Sequence, residues 1–546
     1  MNQFAGMTYA QAIAYMAETF PDNEALVYRD QRWRFRDVKK MVDRASGRLA
    51  TLGLPMGSAI SIWLPNRPDY LWYLLGAAQM GLVPVILNTR LRLEEFAYQL
   101  AQSDSRAVIV PGDAAFRNFL GDLTELCPEL MAPARGKLQL AALPKMQHVV
   151  ALDSFDRAKL PAVADWSDGL TQDLPVPPYA TDPDQPALIS YSSGTTALPK
   201  GAMITHCVWR KAWDIGTPVD MSAKDKFYLA IPMFGSMASM NGVYPVWIRG
   251  GGVVIADRFD AEQAMKDWQN ERCTVTHLLP PMITALLEHP KRKDYDLSSM
   301  RIAMVLSNDY DVLMRVARDL GIPGTMTGYG LTESTTVLTR SRWDDSLDDR
   351  IDNQGRPLPD VEIRIVDPQT GKDMPMGESG EIWARSYCIM KGYYNKPAET
   401  AKAIDQDGWF HTGDQGFLRP DGRLVFEGRI GDGYKTKGFN VSPAEIETVL
   451  RKHPAVANAA LVGLPHSELG DMGVAFVIPR PGKRPMESEL LAFARDNLAS
   501  FKVPLHVIFV ENFPLTSGTD KVQKFKLREL ASETLGVALK RAGARA

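Results

Sequence analysis

The chain has 546 residues, 45% of them hydrophobic and 23% charged, with a net charge of −3. That length exceeds what one core usually supports, so two or more domains are expected, and the near-neutral balance argues against a nucleic-acid or acidic-membrane binder. The four cysteines, Cys127, Cys207, Cys273 and Cys388, form no C-x-x-C pair, so neither a zinc site nor a disulfide frame is suggested, which fits a reducing, cytoplasmic setting.

The N-terminus has no Lys or Arg before Arg29, and Glu18 and Asp22 fall early, unlike a secretory signal. Through about residue 310, apolar strand-like runs alternate with helical patterns. The runs are Ala59–Trp63, Val83–Leu87, Ala107–Val110, Val253–Ile255, Val275–Leu279 and Ile302–Leu306. This alternation predicts α/β layers with largely parallel sheets. Two uncharged stretches, Tyr70–Thr89 and Phe227–Ile248, approach membrane-spanning length. Gly76, Gly81, Pro84 and Asn88 break the first, and Pro232, Gly235, Gly242 and Pro245 the second, so neither reads as a span. The first is expected to be a buried helix, a glycine turn and a strand.

Ala187 to Tyr191 reads as a short buried strand leading into Ser192, Ser193, Gly194, Thr195 and Thr196, with Lys200 six residues beyond Gly194. A hydroxyl-rich turn of this kind can offer backbone N–H groups and Ser/Thr donors to one polyanion, and the lysine adds a point charge. The combination suits a nucleotide triphosphate; an ordinary surface turn is the alternative. A Walker-type loop is excluded, because Pro199 precedes Lys200 and Gly201 follows it. No dinucleotide fingerprint forms either, since Gly328-Tyr-Gly330 runs on into Leu331, Thr332 and Glu333.

From residue 361 the texture changes to short strands joined by turn chemistry such as Pro420-Asp-Gly422. Val361–Val366, Gly380–Ala384 and Arg423–Glu427 predict a small β subdomain over about residues 340–430. Gly431-Asp432-Gly433 marks a boundary, because two glycines permit large φ/ψ changes. Beyond it, Ser442-Pro443-Ala444-Glu445 has capping-box spacing for a helix running to about Lys452. Strands Val456–Val462 and Val474–Ile478, a helix near Glu487–Leu498, a strand Val507–Glu511 and a loose tail helix over Ala531–Ala546 follow. The expected division is therefore 1–430 and 431–546, the second part α+β.

Five segments, in order, resemble the signatures of adenylate-forming enzymes, the superfamily of acyl-CoA synthetases, luciferases and peptide-synthetase adenylation domains. They are Tyr191–His206, Gly328-Tyr-Gly-Leu-Thr-Glu333, Gly380-Glu-Ile-Trp383, Thr412-Gly-Asp414 through Gly428-Arg429, and Pro514-Leu-Thr-Ser-Gly-Thr-Asp-Lys521. The resemblance spans nearly the whole chain and is greatest to acyl-CoA synthetases. It implies a large α/β adenylation domain with a small β subdomain, a mobile α+β C-terminal lid, and ATP, Mg²⁺ and coenzyme A as reaction partners.

The resemblance also implies roles. Ser192 to Thr196 and Lys200 would hold the β- and γ-phosphates, Thr332 a phosphate oxygen, and Glu333 the Mg²⁺ ion. Tyr329 would lie on the adenine face, and Asp414 and Arg429 would hold ribose. Lys521 would bridge substrate carboxylate and phosphate, offsetting charge in the transition state. Lys435, Lys437 and Gly438 would shape the thiol channel, with the lid pivoting at Gly431. The residues alone leave other readings open: a helix-start surface cluster for Thr332 and Glu333, an Asx turn for Asp414 and a structural ion pair for Arg429.

The chain departs from the pattern at several points. Asp520 stands where the family usually has glycine, and Gly431 where it has Asp or Lys. Ser307-Asn308-Asp309-Tyr310-Asp311 replaces Ser-Gly-Gly-Ala-Pro. The uncharged stretch Ile231–Tyr244 resembles the acyl-binding helix, with Phe234, Met237 and Met240 joined in the pocket by Ser307, Asn308 and Gly330. Gly235 takes the place of the Asp of amino-acid activators and the His of many acyl-CoA synthetases, which implies room for a bulky, aryl or polycyclic hydrophobic acid. The same Met/Phe run also reads as plain core. The expected activity is acid–CoA ligation through acyl-AMP, with small-molecule acid, ATP and CoA as partners, no nucleic acid, and a homodimer left open. The rivals are loading of a carrier protein, luciferase-like oxygenation and a non-catalytic nucleotide-binding role.

Overall fold

Ala59–Ile62, Ala107–Val110 and Ile302–Val305 are buried at every position, as strands covered on both faces must be. The computed structural model of the protein describes residues 3–112, 116–133, 137–192, 199–307, 310–436, 439–441, 443–466, 469–498, 500–515 and 522–537. By contacts the chain separates into two units. The first holds the chain up to Ser192, Pro199–Glu362 and Arg385–Gly408; the second holds Ile363–Ala384 and the chain from Trp409.

Among the described residues, the first unit contains two seven-stranded sheets. One runs, in spatial order, Gly324–Met326, Ile302–Val305, Val275–Leu278, Lys226–Leu229, Gly252–Ile255, Glu24–Tyr28 and Gln31–Arg34. The other runs Ala164–Asp165, His148–Ala151, Ala107–Val110, Ala59–Ile62, Val83–Ile86, Pro186–Ser192 and Lys200–Thr205. Both are parallel except for one antiparallel hairpin at an edge. The uncharged stretch from Tyr70 lies in a buried helix Pro68–Gln79, a turn with Gly81 at φ 78°, and strand Val83–Ile86, as expected. No helix among the described residues is long and apolar enough to cross a membrane. A smaller antiparallel sheet carries Gly328–Leu331, Thr336–Arg340 and Arg356–Pro357.

The second unit holds most of an antiparallel sheet of Val361–Val366, Gly380–Ser386, Phe410–Leu418 and Leu424–Arg429. It continues into helix Pro443–Arg451, the long hairpin Val456–His466 with Gly470–Pro479, helix Glu487–Asn497 and strand His506–Phe509. The last helix, Lys524–Leu535, starts earlier than the sequence suggests. Leu527 and Ala531 bury against Val462, Phe476 and Phe513, and this packing anchors the helix. The mixed α/β architecture with parallel-rich sheets and a smaller α+β part agrees with the sequence expectation.

Candidate active site

The strand Gly328–Leu331 passes into a tight turn Thr332–Ser334 and returns as Thr336–Arg340. The reversal needs two left-handed residues, Thr335 at φ 52° and Thr336 at φ 76°. For β-branched residues this is strained, at a cost of about 1–3 kcal/mol each. Local bonds hold it. Ser334 Oγ donates within reach of Leu331 O (3.1 Å) and Thr336 O (3.0 Å), and Thr335 Oγ1 donates to Cys388 O at 2.7 Å. A Cβ on Gly330 would lie 1.6 Å from the Thr336 carbonyl oxygen, so only glycine fits there. The turn therefore carries Glu333 into the interior, 7% exposed. It does not form a surface cluster at a helix start. Tyr329 is buried beside it in the chain, and Thr332 is half-buried.

Glu333 Oε1 accepts a hydrogen bond from Tyr393 Oη at 2.9 Å. Lys200, the first residue of Lys200–Thr205, has its Nζ 4.4 Å from the centroid of the same ring and 3.8 Å from Glu399. Tyr393 reaches both because its segment runs along the Lys200–Thr205 edge. Lys391 N donates to Met203 O (2.9 Å), Met203 N to Gly392 O (3.0 Å) and Tyr394 N to Gly201 O (2.8 Å). Residues near 200, 333 and 393 thus meet at one phenol. No spacing in the sequence singles out Tyr393; the only hint is a turn-rich Gly392-Tyr-Tyr-Asn395 before Pro397.

The expected acyl-binding segment forms a helix interrupted by a π turn: Ser236–Ala238, then Ser239–Val243, then Tyr244–Trp247. Such turns are rare and recur at functional sites. Phe234, Gly235 and Met237 are half-buried, whereas Met233 and Met240 are fully packed in the interior. A Cβ on Gly235 would meet only the Pro232 carbonyl oxygen, at 3.3 Å, among the described residues. Asn66, which sequence reasoning missed, pins the start of this segment. Its Nδ2 donates to Ile231 O and Ala256 O (both 3.0 Å), and its Oδ1 accepts from Met233 N at 2.8 Å. Ser307 follows the strand Ile302–Val305 and is half-buried.

In the second unit, Asp414 and Arg429 face each other across antiparallel strands. Arg429 Nε lies 2.9 Å from Asp414 Oδ1, with the carboxylate side chain 4% and the arginine 44% exposed. Asp414 is a strand residue, and its N–H donates to Thr412 Oγ1 at 3.0 Å. Thr412 Oγ1 in turn donates to Ile382 O at 2.6 Å. Gly431 lies exposed in the turn Ile430–Asp432, and a Cβ there would meet nothing within 4 Å. Lys435 belongs to strand Tyr434–Thr436. Ser193, Gly194, Thr195, Thr196, Asn308, Lys437, Gly438 and Lys521 lie outside the described residues, and Ser192 is described as the last residue of its strand.

The sequence pattern of the family described as AMP-binding enzyme matches residues 13–394, and that of the AMP-binding enzyme C-terminal domain matches 445–518. The chain is 32% identical, over 96% of its length and 98% of the relative, to a methyl-dioxo-octahydroindenyl-propanoyl:CoA ligase of Rhodococcus jostii. It is 29% identical, over 98% of its length and 89% of the relative, to the mitochondrial medium-chain acyl-CoA ligase ACSF2 of Mus musculus. Its fold is similar to that of ATP-bound MatB from Rhodopseudomonas palustris, with a TM-score of 0.83 at 24% identity, covering 97% of this chain and 100% of that one. The chain belongs to the AMP-binding enzyme family, the adenylate-forming acyl-CoA synthetases and ligases.

Proposed function

We propose that the chain is an ATP-dependent acid–CoA ligase for a hydrophobic acid of bulky, aryl or polycyclic shape. In the first half-reaction the substrate carboxylate attacks the α-phosphorus of ATP, forming acyl-AMP and releasing pyrophosphate. In the second, the thiol of CoA attacks the acyl carbonyl and AMP leaves. The observation that carries this reading is the meeting of Lys200, Tyr393 and Glu333. A polyphosphate needs a cation on one side and a carboxylate for its metal on another, held by a neutral spacer. Glu399 sits 3.8 Å from Lys200, beyond hydrogen-bond range, so a phosphate oxygen can take the ammonium over.

Glu333 suits a Mg²⁺ ion of this kind. No cluster of three or more metal-ligating side chains occurs among the described residues, and Mg²⁺ commonly takes one or two carboxylates and fills its remaining positions with phosphate oxygens and water. When bound, the ion neutralises phosphate charge. In this reading Ser192 to Thr196 cradle the phosphates, Thr332 donates to one, Tyr329 meets adenine, and Asp414 with Arg429 holds ribose. Lys521 stabilises the charge that builds at the α-phosphorus. Residues 431–546 act as the lid, turning at Gly431, with Lys435, Lys437 and Gly438 along the thiol channel. The open space beside Gly235 and the bicyclic acid in the name of the R. jostii relative support a bulky substrate. The four cysteines are unbridged, in keeping with a cytoplasmic setting.

The test is pyrophosphate release with ATP and CoA over a panel of aliphatic, aryl and polycyclic acids. Release with bulky acids, followed by acyl-CoA, is expected. ATP binding without release from any acid overturns the proposal, and transfer to a carrier-protein thiol but not to CoA overturns its second half. A Lys521→Ala variant that exchanges pyrophosphate as fast as the parent chain removes Lys521 from its role.

A further inference from the structure

We propose that the acyl pocket ends on a buried receptor for a second oxygen group of the substrate, built by Arg340, Asn241 and His277. This rests on the reading of Ile231–Tyr244 as the acyl-binding segment. It narrows the substrate class to acids that carry a ketone or a second carboxylate away from the carboxyl that is activated.

Arg340 ends the strand Thr336–Arg340 and is 1% exposed. Its Nη1 donates to Asn241 Oδ1 at 3.3 Å, but Nε and Nη2 have no partner among the described residues. Burial and the neighbouring Arg249 pull the guanidinium down to about 10, so it stays cationic at neutral pH. A buried cation without a counter-charge is expensive, and buried N–H groups are nearly always paired.

The contrast with Arg249 separates a brace from a receptor. Arg249 spends its donors on the protein itself: Nη2 on Trp213 O (2.6 Å) and Thr217 Oγ1 (2.9 Å), Nη1 on Ala212 O (3.4 Å) and Pro245 O (3.5 Å). Arg340 leaves a side of its fork open, and that planar fork matches a carboxylate or carbonyl oxygen.

The bonded corner of the guanidinium, Nη1, meets the acyl segment at Asn241. Asn241 sits on the π turn, and its Nδ2 goes to the weak acceptor Met237 Sδ at 3.3 Å. His277, on Val275–Leu278 and also buried, lies by the backbone of Met237 with its ring 4.9 Å from Phe227. Neither ring nitrogen makes a well-aligned hydrogen bond among the described residues. Burial and Arg340 push it down to about 3, so it is a neutral imidazole with one donor to give. The acyl segment itself contributes no charge; that of Arg340 comes from a strand outside it.

The experiment uses the full chain and three acids of one carbon skeleton that end in a methyl, a ketone or a carboxylate. Pyrophosphate release is expected with a KM about tenfold or more lower for the ketone or the carboxylate than for the methyl acid. Whichever of the two wins names the oxygen source. Arg340→Met is expected to raise the KM of the winner about tenfold with kcat much less changed, and Arg340→Lys to restore part of it. Equal KM values for all three acids, or a preference for the methyl acid, overturn the receptor while leaving the ligase reading intact. If no acid releases pyrophosphate the ligase reading falls, and the receptor is then decided by thermal shift. A rise in melting temperature with the ketone or dicarboxylic acid alone supports it, and an equal response to all three overturns it. Should Arg340→Met fail to fold, the ranking by the parent chain decides by itself.

Discussion

Two buried carboxylates serve the nucleotide in the proposed reaction, and they are held in opposite ways. Asp414 has a cation fixed against it by strand register, Arg429 at 2.9 Å. Glu333 has a neutral phenol, Tyr393, at 2.9 Å, and the cation Lys200 lies 4.4 Å from the centroid of that ring. A carboxylate already paired with arginine has little pull left for a metal ion, whereas one steadied by a neutral donor keeps its charge available. In the proposed reaction that difference would leave the first to orient and the second to hold an ion. The first is made by two strands 15 positions apart, the second by three segments that meet only in the fold.

The sharpest way to break the comparison is Glu333→Gln, which keeps the size and removes the charge. Adenylation is expected to fall about 10²–10³-fold, measured as pyrophosphate exchange at saturating ATP. A loss below about threefold would put Glu333 on the same footing as Asp414. Next is Gly330→Ala. A methyl 1.6 Å from the Thr336 carbonyl forces the turn apart, so a destabilisation of about 3 kcal/mol in urea unfolding is expected, together with lost activity. An unchanged midpoint would show that the turn relaxes freely.

Acid also separates the two regions. His206 and His277 lie in the first unit, and burial pushes them to about 4 and about 3. An unfolded chain takes up these protons near pH 6.5. The stability from keeping both rings neutral is therefore full above about pH 6.5 and is lost as pH falls toward 4. Protection from hydrogen exchange, taken relative to the intrinsic exchange rate at each pH, is expected to fall first in the strands of the first unit as pH is lowered from 7 to 4.5, and earlier loss in the second unit would contradict this. The smallest effects come from the partners. Arg429→Gln is expected to raise the KM for ATP about tenfold with kcat nearly kept. Tyr393→Phe should cost about 1 kcal/mol of stability and a few-fold in kcat. A larger kcat loss from Arg429→Gln than from Tyr393→Phe would reverse the roles assigned to the two carboxylates.

The amino-acid sequence by itself determined several of the buried strands and their parallel kind. Runs such as Val83–Ile86 and Ala107–Val110 are apolar at every position, and a short fully apolar run bounded by turn residues fits a strand covered on both faces. The pairing that sets Asp414 against Arg429 came from the fold, where Phe410–Leu418 runs antiparallel to Leu424–Arg429. Only the tertiary structure decided that Tyr393 meets both Lys200 and Glu333, that Asn66 pins Ile231 and Met233, and that Arg340 comes to the uncharged segment Ile231–Tyr244. Each of these contacts joins residues roughly 60 to 190 positions apart. Their side chains carry no periodic signature, because a hydrogen bond across such a separation depends on which elements pack together and not on what either segment is made of.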